Sequence, residues 1–170
     1  MIQKMDDLTK FCKPIQHAKC KKGVVELAVC KAILFDENDD GFVSSLDKKN
    51  HNNNVDYIEI IENGVLLIEL KDIKAKISSL FEEKPKNTEE IQKILLSNVE
   101  NKFTNSLSII QKNINPNLMP TINYLVVANN TENNLLDKYL PENLKKNPFV
   151  ICKTNEICEK LSTLNTRLCQ

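Results

Sequence analysis

The chain has 170 residues, 41% hydrophobic and 27% charged, which is enough length and apolar content for one domain with a sizeable core. Three Gly and six Pro exclude a linker-like or low-complexity composition. Lys and Arg number 23 and so do Asp and Glu; a formal charge of zero argues against strong non-specific DNA binding by a monomer, because phosphate contacts dominate such affinity, but it does not exclude a local basic face.

The N-terminus, Met1 to Asp7, lacks the apolar core of a signal peptide. Apolar runs such as Val65–Ile68 fall far short of the ~20 residues that cross a bilayer. A cytoplasmic protein with no membrane partner is the expectation. Residues 1–20 read as a polar lead-in with a short helix broken near Pro14. Cys12, His17 and Cys20 lie here in a C-x4-H-x2-C spacing that matches no standard zinc knuckle, and no C-x-x-C occurs anywhere. The six cysteines, at 12, 20, 30, 152, 158 and 169, come without a secretion signal in a chain long enough to build a core, so no disulfide framework is expected. Cys30 and Cys152 stand in apolar runs and read as small buried hydrophobes.

From Lys22 to Phe35, the spacing of Val24, Val25, Ala28, Ala32 and Phe35 predicts a helix. Asp36 to Gly41 ends it. Asp36, Asn38 and Asp40 match the opening of a calcium loop, D-x-N-x-D-G, but its twelfth position is Asp47 rather than Glu, so a solvated turn is the better reading. Gly41–Leu46 is a short strand candidate. The polar loop Asp47–Asn54 carries Lys48, Lys49 and His51, residue types that contact phosphates and base edges, although a surface loop accounts for them more simply.

Val55–Ile61 and Val65–Asp72 are the clearest strands, placed around an Asn63-Gly64 turn. A helical region from Ile73 to Asn113 follows, interrupted near Pro85. Its second part opens with Asn87-Thr88-Glu89-Glu90, a cap before acidic first-turn residues, and Ile91, Ile94, Leu95, Asn98 and Val99 form its stripe. Pro116 and Pro120 mark a loop. Thr121–Ala128 predicts a buried strand, Asn134–Lys146 a helix interrupted at Pro141, and Phe149–Lys153 another buried strand. Thr154 or Asn155 caps a last helix ending near Leu168. The order α-β-β-β-α-β-α-β-α gives an α/β protein. An antiparallel meander comes first, then strands joined through helices that pair in parallel, in one mixed sheet with helices on both faces. Residues 1–170 read as a single domain.

The residues that carry chemistry sit on the central hairpin. Asp56 opens the first of its strands. Glu69 and Lys71, two apart, share a face of the second, while Ile68 and Leu70 face the other way. A carboxylate beside an ammonium, with a second carboxylate one strand away, can hold a divalent metal next to a phosphate. As a string, [DE]-x-K is weak: it occurs at Asp47, Glu69, Asp72, Glu82 and Glu100. Only Glu69 directly follows an apolar strand and has a strand-opening Asp across a tight turn.

With its element order, this constellation resembles the core of the PD-(D/E)XK nuclease superfamily, the restriction-endonuclease-like fold of many restriction enzymes and of archaeal Holliday-junction resolvases. The resemblance spans residues 22–130, an α-β-β-β-α-β core, with residues 131–170 as a C-terminal α-β-α extension. Asp56 takes the position of the Asp that opens the second core strand, and Glu69 and Lys71 take those of (D/E)-x-K in the third. Val55 departs from the Pro of the family pattern. Glu26, on the expected first helix with Cys30 and Ile33, takes the position of a helix Glu found in many members. The resemblance implies Mg2+- or Mn2+-dependent hydrolysis of DNA phosphodiester bonds. Asp56, Glu69 and the Leu70 carbonyl would hold the metal, Glu26 would join through water, and Lys71 would orient the attacking water or stabilise developing charge. It also implies a homodimer, since duplex DNA has two strands. Two other readings stand beside it: a catalytically silent fold serving as a protein-binding scaffold, which the neutral charge favours, and an ordinary sheet whose Glu69 and Lys71 form a weak surface pair. No Gly-rich phosphate loop and no G-x-S-x-G elbow is present.

Overall fold

Among the described residues, six strands make one sheet, and the chain visits them in spatial order. They are β1 (Cys12–Gln16), β2 (Leu27–Leu34), β3 (Tyr57–Ile61), β4 (Gly64–Lys71), β5 (Pro120–Val127) and β6 (Phe149–Lys153). β1 to β4 form an antiparallel meander, and β4, β5 and β6 run parallel. The helices are α1 (Met5–Leu8), α2 (Phe42–Ser45), α3 (Ile73–Glu83), α4 (Thr88–Asn113), α5 (Asn133–Tyr139) and α6 (Thr154–Ser162). The computed structural model describes residues 5–17, 23, 25–36, 40–46 and 53–170. Lys48, Lys49, His51, Cys20 and Asn38 of the calcium-like turn lie outside them.

The mixed α/β sheet with helices on both faces is present. On one face, Ile58, Ile60, Val65, Leu67 and Leu125 pack against Ile73, Ile77 and Leu80 of α3 and Ile91, Leu95, Val99 and Phe103 of α4. On the other, Leu66, Ile68, Leu70 and Val126 pack against Ile157 and Leu161 of α6. Asn87 caps α4 in a reciprocal capping box with Glu90, so a 26-residue helix starts at a fixed point and sets its inward residues against the sheet.

Two expected elements are corrected. Residues 27–34 form strand β2 and not a helix. Ala28, Ala32 and Leu34 turn inward while Leu27, Val29 and Lys31 face solvent, a period of two that coincides at Ala28 and Ala32 with the helical spacing. The β-branched Val29 and Ile33 favour the pleated form. Conversely, Gly41–Leu46 contains the short helix α2, which buries Phe42 and Val43. Pro14 lies inside edge strand β1, where its missing N–H is tolerated.

The absence of disulfides is also corrected. Cys12 pairs with Cys169 and Cys30 with Cys158, at Cα separations of 5.6 and 5.4 Å, within the normal span of such bonds. Cys30 is therefore a bridge rather than a buried hydrophobe, while Cys152 is buried and free, its thiol pushed up to about 12 by burial. The C-terminal residues run beside β3, with Leu168 N donating to Ile60 O. Glu59, fully buried, accepts from Arg167 Nη2 at 3.0 Å and from the Leu168 and Cys169 amides. The chain's one arginine thus pins its own C-terminus. Among the described residues, no helix is long and apolar enough to cross a membrane.

Candidate metal centre

Alternation along β4 decides where Glu69 and Lys71 point. They share the parity of Val65 and Leu67, so they project toward α4, whereas Leu66, Ile68 and Leu70 project toward α6. Asp56 sits at the bend before β3, and its Oδ2 accepts from Leu70 N at 2.8 Å. This bond fixes the opening of one hairpin strand against the backbone between Glu69 and Lys71 on the other. The three expected residues are therefore gathered at one place.

Two further side chains come from α4. Lys102 Nζ donates to Glu69 Oε1 at 2.7 Å, while Lys71 Nζ stands 3.9 Å from that oxygen and donates to Asn98 Oδ1. Glu69 is 1% exposed, and its Oε2 is buried without a hydrogen-bond partner. Burial and the nearby Asp56 charge push the Glu69 carboxyl up to about 8, against the pull of Lys102 and Lys71. Burial lowers Lys71, with the Lys102 and Lys76 ammoniums adding to it and Glu69 opposing. Burial pulls Lys102 down too, but Glu69 and Asp56 together outweigh it and hold its pKa above the usual value. Beside Asn98 a depression of about 410 Å³ is lined by Asn53, Lys93, Ile94, Ser97 and Asn101.

Glu26 lies just ahead of β2 and is engaged by the segment after β5 and by the start of α6. Both its oxygens accept from Asn129 N, at 2.9 and 3.2 Å, and Oε1 also accepts from Thr154 Oγ1 at 2.8 Å. Thr154 in turn meets His17 Nε2 at 2.9 Å. Burial lowers the His17 pKa against the pull of Glu26, Asp56 and Asp72. These contacts tie the segment before β2 to the start of α6.

Among the described residues, no group of three or more His, Cys, Asp or Glu side chains is arranged to hold a metal. The protein's donors here are two carboxylates and backbone. That set fits Mg2+, which keeps several waters and is usually bound through one or two carboxylates. An unpartnered, fully buried carboxylate oxygen is the feature such a cation would satisfy. Asn98 and Lys102 were not identified as site residues from sequence. Their signal is two polar side chains, i and i+4, on or beside the stripe of Leu95, Val99, Phe103 and Ser106 that α4 buries.

No protein-family model matches the chain, and no curated protein or solved structure gives a match.

Proposed function

We propose that the chain is a metal-dependent nuclease that hydrolyses DNA phosphodiester bonds. The observation that carries this reading is Glu69: a buried carboxylate on a central strand, one oxygen without a partner, with Asp56 and Lys71 adjoining it. A buried carboxyl left half-satisfied is costly and has no packing rationale. The strand path supports the reading at a coarser level. β2, β3 and β4 form an antiparallel meander, and α4 then leads to β5, parallel to β4. Asp56 precedes the second of these strands, and Glu69 and Lys71 lie in the third, the order of the PD-(D/E)XK core. The departure is at the front, where Glu26 precedes a strand and has no helix to carry it.

Asp56, Glu69 and the Leu70 carbonyl would hold Mg2+ or Mn2+. The bound cation would neutralise phosphate charge and acidify the attacking water. Asp56 orients the backbone at Leu70 through its hydrogen bond. Lys71, held by Asn98 and with a lowered pKa, orients the water and balances charge on the phosphate. The depression beside Asn98, lined by Lys93, Ser97 and Asn101, gives a substrate strand a place to lie.

In an assay with single-stranded, duplex and branched DNA, wild-type protein is expected to cut at least one substrate with Mg2+ or Mn2+. Glu69→Ala and Lys71→Ala are each expected to abolish the cleavage. Wild-type protein that leaves all three intact would overturn the catalytic reading. The second reading, a silent scaffold that binds a protein partner, is favoured by the zero net charge and by the ion pair already occupying Glu69. It predicts neither cleavage nor any shift of melting temperature with Mn2+.

A further inference from the structure

We propose that Lys102 is a resident counter-cation of the Asp56–Glu69 pair, occupying Glu69 when no metal is bound and swinging out when a divalent cation enters. The proposal rests on the metal-site reading above and adds the identity of the group the cation must displace.

The closest cation to Glu69 is not the lysine of the motif. Lys102 Nζ lies 2.7 Å from Glu69 Oε1, whereas Lys71 Nζ lies 3.9 Å away and is engaged by Asn98. Lys102 also feels Asp56, so its ammonium stands in the field of both carboxylates. With Glu69 ionised, as a metal ligand must be, charge counting gives two carboxylates against two ammoniums, a neutral set. Adding a divalent cation with both ammoniums in place would leave two uncompensated positive charges around a buried carboxylate, which a low-dielectric site strongly disfavours. One ammonium must leave. Lys71 is 12% exposed and tied to Asn98; Lys102 is 20% exposed and reaches Glu69 on a flexible four-carbon stem from α4. Its head can exchange the carboxylate for water without moving the helix. Asn98 and Asn101, its neighbours on α4, line the depression, and the released ammonium would swing out on that side of the helix.

The test is a calorimetric titration of the whole chain with MnCl2, in the absence of DNA, on wild type, Glu69→Gln, Lys102→Met and Lys102→Arg. Removing the competitor eliminates a charge-assisted hydrogen bond that the metal otherwise has to break, so Lys102→Met is expected to bind Mn2+ at least about tenfold more tightly than wild type. Lys102→Arg, which keeps a cation, is expected to bind no more tightly than wild type, and Glu69→Gln is expected to lose binding. If wild type binds, Glu69→Gln does not, and Lys102→Met binds equally or more weakly, the exchange is overturned and the metal site stands. If none of the four binds, both are overturned. Because Lys102→Met removes the hydrogen-bond donor to buried Glu69, a second measurement uses the unaltered chain: the lysine Cε–Hε resonances under Mg2+ titration. The Lys102 signal is expected to move to the position of exposed lysines while that of Lys71 stays apart from it; an unmoved Lys102 signal at saturating Mg2+ overturns the proposal.

Discussion

Glu69 is held between two opposing influences. Lys102 and Lys71 favour its charged form, while burial and Asp56 favour the proton, and the proton prevails up to about pH 8. That has a consequence for stability. The native state keeps the Glu69 proton to about 8, and the unfolded chain loses it near 4.5. Between those values the native state binds more protons, so this group's contribution is fully present below 4.5 and is lost as pH rises through 8. A Glu69→Gln variant does not titrate and keeps an acceptor oxygen for Lys102. In EDTA, its unfolding free energy relative to wild type is therefore expected to rise by up to about 1.4 kcal/mol per pH unit across that window and to level off outside it. A constant difference in urea unfolding across pH would show that Glu69 ionises as freely in the folded protein as in the unfolded chain. Asp56, Glu69 and Lys71 were legible because strand alternation and a short hairpin are local rules. Lys102 was not, because its partner lies 33 residues earlier and only tertiary packing brings α4 over β4.

Elements with a single strong period could be read from sequence, and those with two overlapping periods could not. β3, β4, β5, β6, α3 and α4 all lie where their patterns put them, and the break near Pro85 separates α3 from α4. β2 was misread because Ala28 and Ala32 fit both a helical and an alternating spacing, and pairing with β1 settles the choice. Gly64 shows a correct position with a different cause. The turn residues are Glu62 and Asn63, Gly64 is the first residue of β4, and no described glycine has positive φ. Its role is close approach: a Cβ there would stand 2.7 Å from Met119 O and 2.7 Å from Thr121 Cγ2. Val65 N donates to that same Met119 carbonyl, so the backbone cannot retreat without loosening the start of the β4–β5 ladder. Gly64→Ala is expected to cost about 1–3 kcal/mol in urea unfolding, as overpacking does. Adding Thr121→Ser is expected to recover only part of it, since the carbonyl remains. Full recovery in the double variant would assign the clash to the side chain alone.

Among the described residues, two covalent clasps close the molecule. Cys12–Cys169 spans 157 residues and Cys30–Cys158 spans 128, the second loop nested in the first. No local pattern marks these pairs; the folded sheet brings β1 beside the C-terminus and β2 beside α6. Such bonds persist in oxidising surroundings and are rare in a reducing cytosol, so they do not sit with the cytoplasmic expectation. Loop-closure entropy assigns a clasp of this length about 4–5 kcal/mol, and two nested clasps less than twice that, because the first already restrains the second. Reduction with a phosphine is therefore expected to lower the melting temperature by at least about 10 °C, and non-reducing peptide mapping is expected to recover the 12–169 and 30–158 linkages. An unchanged melting temperature with neither linked peptide would remove the clasps from the account. The metal centre should respond differently. Asp56, Glu69, Lys71 and Lys102 stand on or beside β3, β4 and α4, and none is on an element that a disulfide joins. Below its lowered melting point, reduced protein is thus expected to bind Mn2+ as the oxidised protein does. A loss of binding on reduction, with the fold retained by circular dichroism, would mean that the clasps also position Glu69.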